Sequence, residues 1–195
     1  MRVSVHLALW AVGLEKAETQ TTVLERDCLA RHALGKRCIV EIGVWHGVTT
    51  SRLRASMAPD GVLYAVDPFQ PGRMGFSAQR LIARREVAKV SNGRVEWIRM
   101  TGAEAGHAHL EAGRPRPELV FIDGSHDLAT VRSDWEAWSS LVTPGGVIAL
   151  HDSRSTASRC IEGTGSVILT NEVVLRDERF RRVESIDSLT VVRRQ

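Results

Sequence analysis

The sequence predicts an α/β protein with a doubly wound, mostly parallel sheet and helices on both faces. Two observations carry this. Short apolar runs alternate with segments of helical period from residue 38 to residue 150, the signature of β–α–β units. The runs also end, one after another, in polar or acidic residues: Glu41 and Gly43, Asp67, Thr101 and Gly102, Asp123, then His151 and Asp152. In a parallel sheet those ends open on one edge, where ligands of such folds sit. No repeat, low-complexity stretch or linker divides the 195 residues. One domain, 1–195, is therefore expected, with 1–36 as a helical preface and 37–195 as the core.

Val3 to Leu14 is apolar enough to imitate a signal-peptide core. A single arginine precedes it, no small-x-small site follows, and it is too short to span a bilayer. It reads as an amphipathic helix within a preface, 1–18. Thr19-Gln20-Thr21-Thr22 then supplies N-cap candidates, and Val23, Leu24, Cys28, Leu29, Ala33 and Leu34 recur at helical spacing up to Gly35. Strand 38–42 leads into helix 47–57, stopped by Pro59-Asp60-Gly61. Strand 62–66 ends at Asp67-Pro68, and a Gly/Pro-rich loop, 69–75, precedes a helix over 77–90 and strand 94–100.

A helical or irregular piece, 102–112, runs into a Pro-rich turn, 113–117. Strand 118–122 ends at Asp123. The helix predicted over 127–141 puts Leu128, Val131, Trp135, Trp138 and Leu141 on one face, so its tryptophans read as packing on the sheet. Pro144-Gly145-Gly146 turns into strand 147–150. Residues 153–163 read as loop, 166–175 as a short helix or extended piece, and 180–193 as a closing hairpin that turns near Asp187-Ser188. The hairpin adds two antiparallel strands and brings the sheet to seven.

Hydrophobic residues make up 43% of the chain and charged ones 25%, as in a soluble globular protein. The net charge is +3, but basic residues stand beside acidic ones, as in Arg84-Arg85-Glu86 and Arg176-Asp177-Glu178-Arg179. Without a basic block or an aromatic-interleaved basic strip, no nucleic-acid partner is indicated. Cys28, Cys38 and Cys160 have neither CxxC nor metal-ligand spacing. They read as reduced thiols of a cytoplasmic protein with no membrane partner.

The chemistry centres on residues 38–50, a buried strand, a turn with Gly43 and Gly47, and a helix opened by Thr49-Thr50. Such a turn lets a ligand approach the backbone near a helix N-terminus. Asp67, at the end of the second strand, can accept hydrogen bonds from a ribose. NAD, FAD and S-adenosylmethionine all satisfy that much. The turn Gly-Val-Trp-His-Gly lacks Gly-x-Gly-x-x-Gly and sets Trp45 and His46 where a pyrophosphate would pass, which disfavours the dinucleotides.

Four segments follow in order: Val40-Glu41-Ile42-Gly43 with Gly47, Tyr64-Ala65-Val66-Asp67-Pro68, Val120-Phe121-Ile122-Asp123-Gly124-Ser125-His126, and Pro144-Gly145-Gly146-Val147-Ile148-Ala149-Leu150-His151-Asp152. Over about residues 19–195 the chain resembles the class I S-adenosylmethionine-dependent methyltransferases. It is most similar to the small-molecule O-methyltransferase group that includes macrolide-sugar methyltransferases and cephalosporin-hydroxylase-like proteins. The resemblance implies a Rossmann-like sheet, with Glu41, Gly43, Gly47 and Thr50 around the methionine part of the cofactor. It implies Asp67 at the ribose, Pro68 and Phe69 beside the adenine, Gly102 and Ala103 at the adenine edge, and Asp123 and His126 towards sulfonium and acceptor. The loop 69–76, with Gly72, Arg73, Met74 and Gly75, is either a cover for the site or a plain connection.

Several relatives bind Mg²⁺ through strand-end acids, which implies Asp123 and Asp152 here. Catechol-type relatives are also acidic at the position of His151, and this departure leaves Mg²⁺, Mn²⁺, Fe²⁺ or no metal open. His126 is a candidate base or a cap for the helix that follows, and His151 a candidate catalytic or structural residue. His46, His107 and His109 read as surface or packing residues, and Trp10, Thr19 and Thr22 as candidate acceptor-site lining. The implied partner is a small-molecule hydroxyl acceptor, a sugar or natural-product intermediate, with a homodimer as the default assembly. A non-catalytic module with the same fold is the alternative, and an NAD-dependent oxidoreductase is the disfavoured third.

Overall fold

The computed structural model describes residues 9–10, 12–72, 75–157 and 159–195. Most of the helix expected over Val3–Leu14, and Arg73 and Met74 of the expected cover loop, lie outside them. The elements are α1 (Val23–Ala33), β1 (Cys38–Ile42), α2 (Val48–Ser56), β2 (Val62–Val66), α3 (Ala78–Ala88), β3 (Arg94–Ile98), α4 (Gly102–Glu111) and β4 (Leu119–Ile122). They continue with α5 (Leu128–Ser139), β5 (Val147–Leu150), α6 (Gly165–Glu172), a 3₁₀ turn at Val174–Arg176, β6 (Phe180–Ile186) and β7 (Leu189–Arg194).

The strands form one seven-stranded sheet in the order β3-β2-β1-β4-β5-β7-β6. β1 to β5 pair in parallel, whereas β7 runs antiparallel to both β5 and β6. Strands β1, β2, β4 and β5 are buried along their whole length, which is why they read as unbroken apolar runs. Their two faces carry two cores. Val40, Ile42, Tyr64, Val120 and Ile148 pack with Trp135 and Trp138 of α5, while Ile39, Leu63, Phe121 and Ala149 pack with Leu29 of α1, Leu53 of α2 and Ala83 of α3.

Local capping sets the helix starts. Thr22 and Glu25 close a capping box on α1, and Thr101 and Glu104 close another on α4, satisfying amide groups the helices leave free. The second box makes the segment beginning at 102 a regular helix. Helix α5 stops at Ser139, two residues short of the predicted end, and β3 stops at Ile98 rather than at residue 100. The uncertain segment 166–175 resolves into α6 and the 3₁₀ turn. None of the described helices is long and apolar enough to cross a membrane.

Beyond the strands proper, the backbone ladder runs one residue further along one edge. Gly43 N–H donates to Val66 O, Asp67 N–H to Ile98 O, Asp123 N–H to Ile42 O and His151 N–H to Ile122 O, all at 2.8–3.0 Å. The strand-end residues are thereby held in a row.

Candidate active site

That row borders a cavity of about 440 Å³ at the carboxyl ends of β1, β2 and β4. The order of the sheet reverses direction between β1 and β4, so the cavity stands where such sheets part to admit a ligand. Gly43, Asp67, Pro68, Gly102, Asp123 and His126 are on its wall. Glu18, Thr19 and Gln20 close it from the N-terminal side, held there by a Glu18 N–H bond to His46 Nδ1 and a contact of 3.1 Å between the Thr21 and Thr49 hydroxyls. His46 and His109 are both buried. Of the other candidates for lining, Thr22 is engaged as the cap of α1, and Trp10 donates to Glu86 on α3.

Gly43 is required twice over. Its φ is +88°, and a Cβ there would stand 2.0 Å from the Asp123 carbonyl oxygen. Non-glycine residues with positive φ also gather at this edge: Trp45, Phe69 and Asp152 follow the ends of β1, β2 and β5. Backbone held in this way is characteristic of functional sites.

Asp67 is tied to the turn it faces. Its Oδ2 accepts from Val44 N–H, Trp45 N–H and Gln79 Nε2, and its Oδ1 accepts from Phe69 N–H at 2.7 Å. The carboxylate therefore holds the β1–α2 turn in shape and keeps one acceptor position on Oδ1 for a ligand.

Glu41 and Thr50 lie behind the wall, fully buried under α2, and Gly47 packs against Ala83 of α3. Neither Glu41 oxygen has a hydrogen bond of good geometry among the described residues. Burial pushes its carboxyl well above the usual carboxylate range, Thr50 opposes this, and Asp123 and Asp67 add to it. Glu41 is thus a buried carboxyl beneath the site whose charged form is disfavoured.

The sequence pointed to a group of four residues, Asp123, His126, His151 and Asp152, to which the structure adds Glu25 and Arg159. His151 Nδ1 stands 2.8 Å from Asp123 Oδ1, bent out of hydrogen-bond geometry, and its Nε2 meets Glu25 Oε2 at 3.3 Å. Asp152 takes a two-pronged contact from Arg159, Nη1 to Oδ1 at 2.5 Å and Nη2 to Oδ2 at 2.8 Å. His126 Nε2 lies 3.5 Å from Asp152 Oδ2, with its own side chain 45% exposed.

Electrostatics divide the roles. Burial would lower the His151 pKa, but contacts with Asp123 and Glu25 override it and hold the group at about 10. At that value His151 carries its proton near neutral pH, a cation held behind the wall between Asp123 and Glu25. Burial pushes the Asp123 carboxyl up, against the opposing pull of His151.

A divalent metal does not fit these residues. Both Asp152 oxygens are taken by Arg159, and Asp123 faces the imidazolium of His151. A cation between the two carboxylates would meet two fixed positive groups.

Three further residues carried no sequence signal of function. Glu25 appears in the sequence only as the partner in a capping box. Arg159 sits in an aperiodic stretch. Asp134 lines the cavity from α5, and its Oδ1 has no hydrogen-bond partner among the described residues. Burial pushes its carboxyl up to about 6, against a bond from the Ala103 N–H. A side chain at Gly102 would collide with this carboxylate, a Cβ standing 2.4 Å from Oδ1.

A mostly parallel sheet closed by one reversed hairpin, with a cavity at its switch point, defines an open α/β fold of the ligand-binding, doubly wound kind. A family model described as a methyltransferase domain matches residues 40–153, more than half of the chain, and the chain belongs to this family of class I S-adenosylmethionine-dependent methyltransferases. No curated protein is significantly similar in sequence.

Among solved structures, the O-methyltransferase TomG from Streptomyces achromogenes, involved in tomaymycin synthesis and bound to S-adenosylmethionine, aligns with a TM-score of 0.71 at 15% identity, over 99% of this chain and 89% of that one. An O-methyltransferase from Bacillus cereus with S-adenosylhomocysteine gives 0.66 at 16% identity, covering 98% and 90%. The N-methyltransferase NodS from Bradyrhizobium japonicum WM9, also with S-adenosylhomocysteine, gives 0.61 at 17% identity, covering 98% and 96%.

Proposed function

We propose that the protein transfers the methyl group of S-adenosylmethionine to a hydroxyl of a small molecule, a sugar or another natural-product intermediate, with His126 as the base. The observation that carries this reading is the placement of His126, open to the cavity through its side chain and backed at 3.5 Å by the buried Asp152. A histidine held by a carboxylate in this way is oriented to take a proton.

The residues present suit the cofactor. Asp67 keeps an acceptor position for a ribose hydroxyl, and Asp134 Oδ1 is an unfilled acceptor for the adenine amine. Gly43 leaves the backbone open to close approach. When bound, S-adenosylmethionine supplies an electrophilic methyl on a sulfonium. Asp123, on the wall beside His126, offers negative charge to that cationic centre. His126 takes the acceptor's proton as the new carbon–oxygen bond forms, and Asp152, clamped by Arg159, stabilises the imidazolium that results. Orientation of the acceptor supplies the larger part of the acceleration. No metal enters the sequence.

The test pairs calorimetric titration with S-adenosylhomocysteine with methyl transfer to a panel of sugar, phenol and amine acceptors. Binding in the micromolar range and turnover of a hydroxyl acceptor are expected. His126→Asn should keep the binding and lower turnover by about 10²–10⁴-fold. Absence of binding, turnover of amines alone, or a His126→Asn variant at full rate would each overturn the reading.

A further inference from the structure

Outside the cavity lining, three side chains with metal-binding atoms converge between α1 and β6. Cys28 and His32 stand four residues apart on one face of α1, and Glu184 reaches them from β6. One ligand atom from each lies within 4.8 Å of the others, the sole such group among the described residues. Cys28 is fully buried, whereas the side chains of His32 and Glu184 are 15% and 27% exposed. The strand carries a β-bulge between Arg182 and Glu184, an irregularity of the kind that re-aims a side chain.

We infer that Cys28, His32 and Glu184 form a zinc site that clips α1 to the edge strand β6. A thiolate, an imidazole and a carboxylate are the ligand types zinc takes, and three protein ligands leave the fourth tetrahedral position for water on the open side. His32 Nε2 already lies 3.0 Å from Glu184 Oε2, and Arg31 Nη2 lies 2.5 Å from the other oxygen, Oε1. Arg31 therefore leaves one carboxylate oxygen to the cluster. Zn²⁺ with one thiolate and one carboxylate sums to zero charge, and the Arg31 guanidinium on the outer carboxylate oxygen is itself largely exposed to water, which screens it.

Binding is balanced by a proton. The Cys28 S–H bond breaks as the Zn–S bond forms, one H⁺ passes to solvent, and water leaves the aquated ion. The clip would also bear on the cavity. Glu25 lies one turn before Cys28 on α1 and holds His151 and Ser188 through its carboxylate. Fixing α1 to β6 steadies the helix that supplies this anion.

The experiment uses the full chain, stripped of metal and titrated with Co²⁺ and then Zn²⁺. Co²⁺ should give a thiolate-to-metal charge-transfer band near the ultraviolet edge that Zn²⁺ bleaches, with one proton released per ion. Zn²⁺ should raise the melting temperature, and the rise should continue with the logarithm of free Zn²⁺ beyond saturation. Cys28→Ser should abolish the band. Because Cys28 is buried, His32→Gln and Glu184→Gln serve as milder variants, each weakening Zn²⁺ binding by about tenfold or more. The proposal is overturned if the wild-type chain shows no charge-transfer band. It is equally overturned if the band survives Cys28→Ser and disappears in Cys160→Ser, which would put the metal on the exposed thiol.

Discussion

Glu25 and His151, 126 residues apart in the chain, meet at 3.3 Å with one per cent of either side chain exposed. Glu25 Oε2 also accepts from Thr22 N–H, and Oε1 accepts from the Ser188 N–H and hydroxyl. One carboxylate therefore caps α1 and binds it to the ends of β5 and β7. A pair so enclosed is strongly coupled to folding, because removing either partner leaves a charge with little to answer it.

This pair dictates a pH profile of stability. Burial would raise the Glu25 pKa from its ordinary 4.5, but bonds from His151, Thr22 and Ser188 hold it at about 2. Its contribution is complete above 4.5 and is lost as the pH falls towards 2. His151, held at about 10 against an ordinary 6.5, contributes fully below 6.5 and fades as the pH rises towards 10. Both are at full strength only between the two ordinary values. Urea denaturation across pH should show maximal stability there, with limbs on both sides that Glu25→Gln flattens. Glu25→Ala should cost about 3–5 kcal/mol at neutral pH. An unchanged midpoint in Glu25→Ala would refute the coupling.

Gly43→Ala tests the close approach of β1 and β4. The left-handed backbone alone costs a non-glycine residue about 1–3 kcal/mol, and the methyl would meet the Asp123 carbonyl at 2.0 Å. The two strand ends must part, and Asp123 moves with them. A fall in melting temperature together with at least a tenfold loss of S-adenosylhomocysteine affinity is expected. Thermal unfolding and calorimetry read the two effects separately. A variant that melts like the wild type would mean that the turn yields more easily than its geometry implies.

The fold was legible because its signals are local. Buried runs, the threonines before α1 and the glycine turns each determine an element without reference to the rest. The row of strand ends was legible for the same reason, since parallel strands of equal register bring their ends to one edge. The side of β1 that Glu41 takes was not legible, because a strand buried on both faces gives no contrast by which to tell its sides. Glu41 follows Ile39 onto the α2 face, while Val40 and Ile42 face α5. Glu25 and Arg159 stayed hidden because their partners lie across the fold or in a loop, and neither contact has a period. His151 could be read either as a catalytic or as a structural residue, because the two carboxylates that meet it, Asp123 and Glu25, come from distant parts of the chain.

Asp67 separates two roles that one substitution would blur. Its carboxylate receives four hydrogen bonds from the turn and from Gln79, so Asp67→Ala should lower both the melting temperature and cofactor affinity. Asp67→Asn keeps the size and one carbonyl acceptor. It should recover part of the stability, by about 1 kcal/mol or more, and less of the affinity. Differential scanning calorimetry beside S-adenosylhomocysteine titration reads the split. Full affinity in Asp67→Ala would exclude a ribose contact.

Arg159 stands where a metal-dependent relative would need an open pair of oxygens. Asp152 is 2% exposed, its backbone φ is +48°, and both of its oxygens are held by the guanidinium. Adding Mg²⁺ to the wild-type chain should therefore leave S-adenosylhomocysteine affinity unchanged, and Mn²⁺ should give no bound signal in electron paramagnetic resonance. Arg159→Ala should cost about 1–3 kcal/mol by leaving a charged acceptor unpaired, and should also loosen His126. On its own it should not create a metal site, because the His151 imidazolium still faces Asp123. The double substitution Arg159→Ala with His151→Asp removes both cations and adds a carboxylate, and it should bind Mn²⁺, a hard ion that the Cys28 cluster does not favour. Bound Mn²⁺ in the wild-type chain, lost on Asp152→Asn, would show that Arg159 gives way and that the site takes a metal after all.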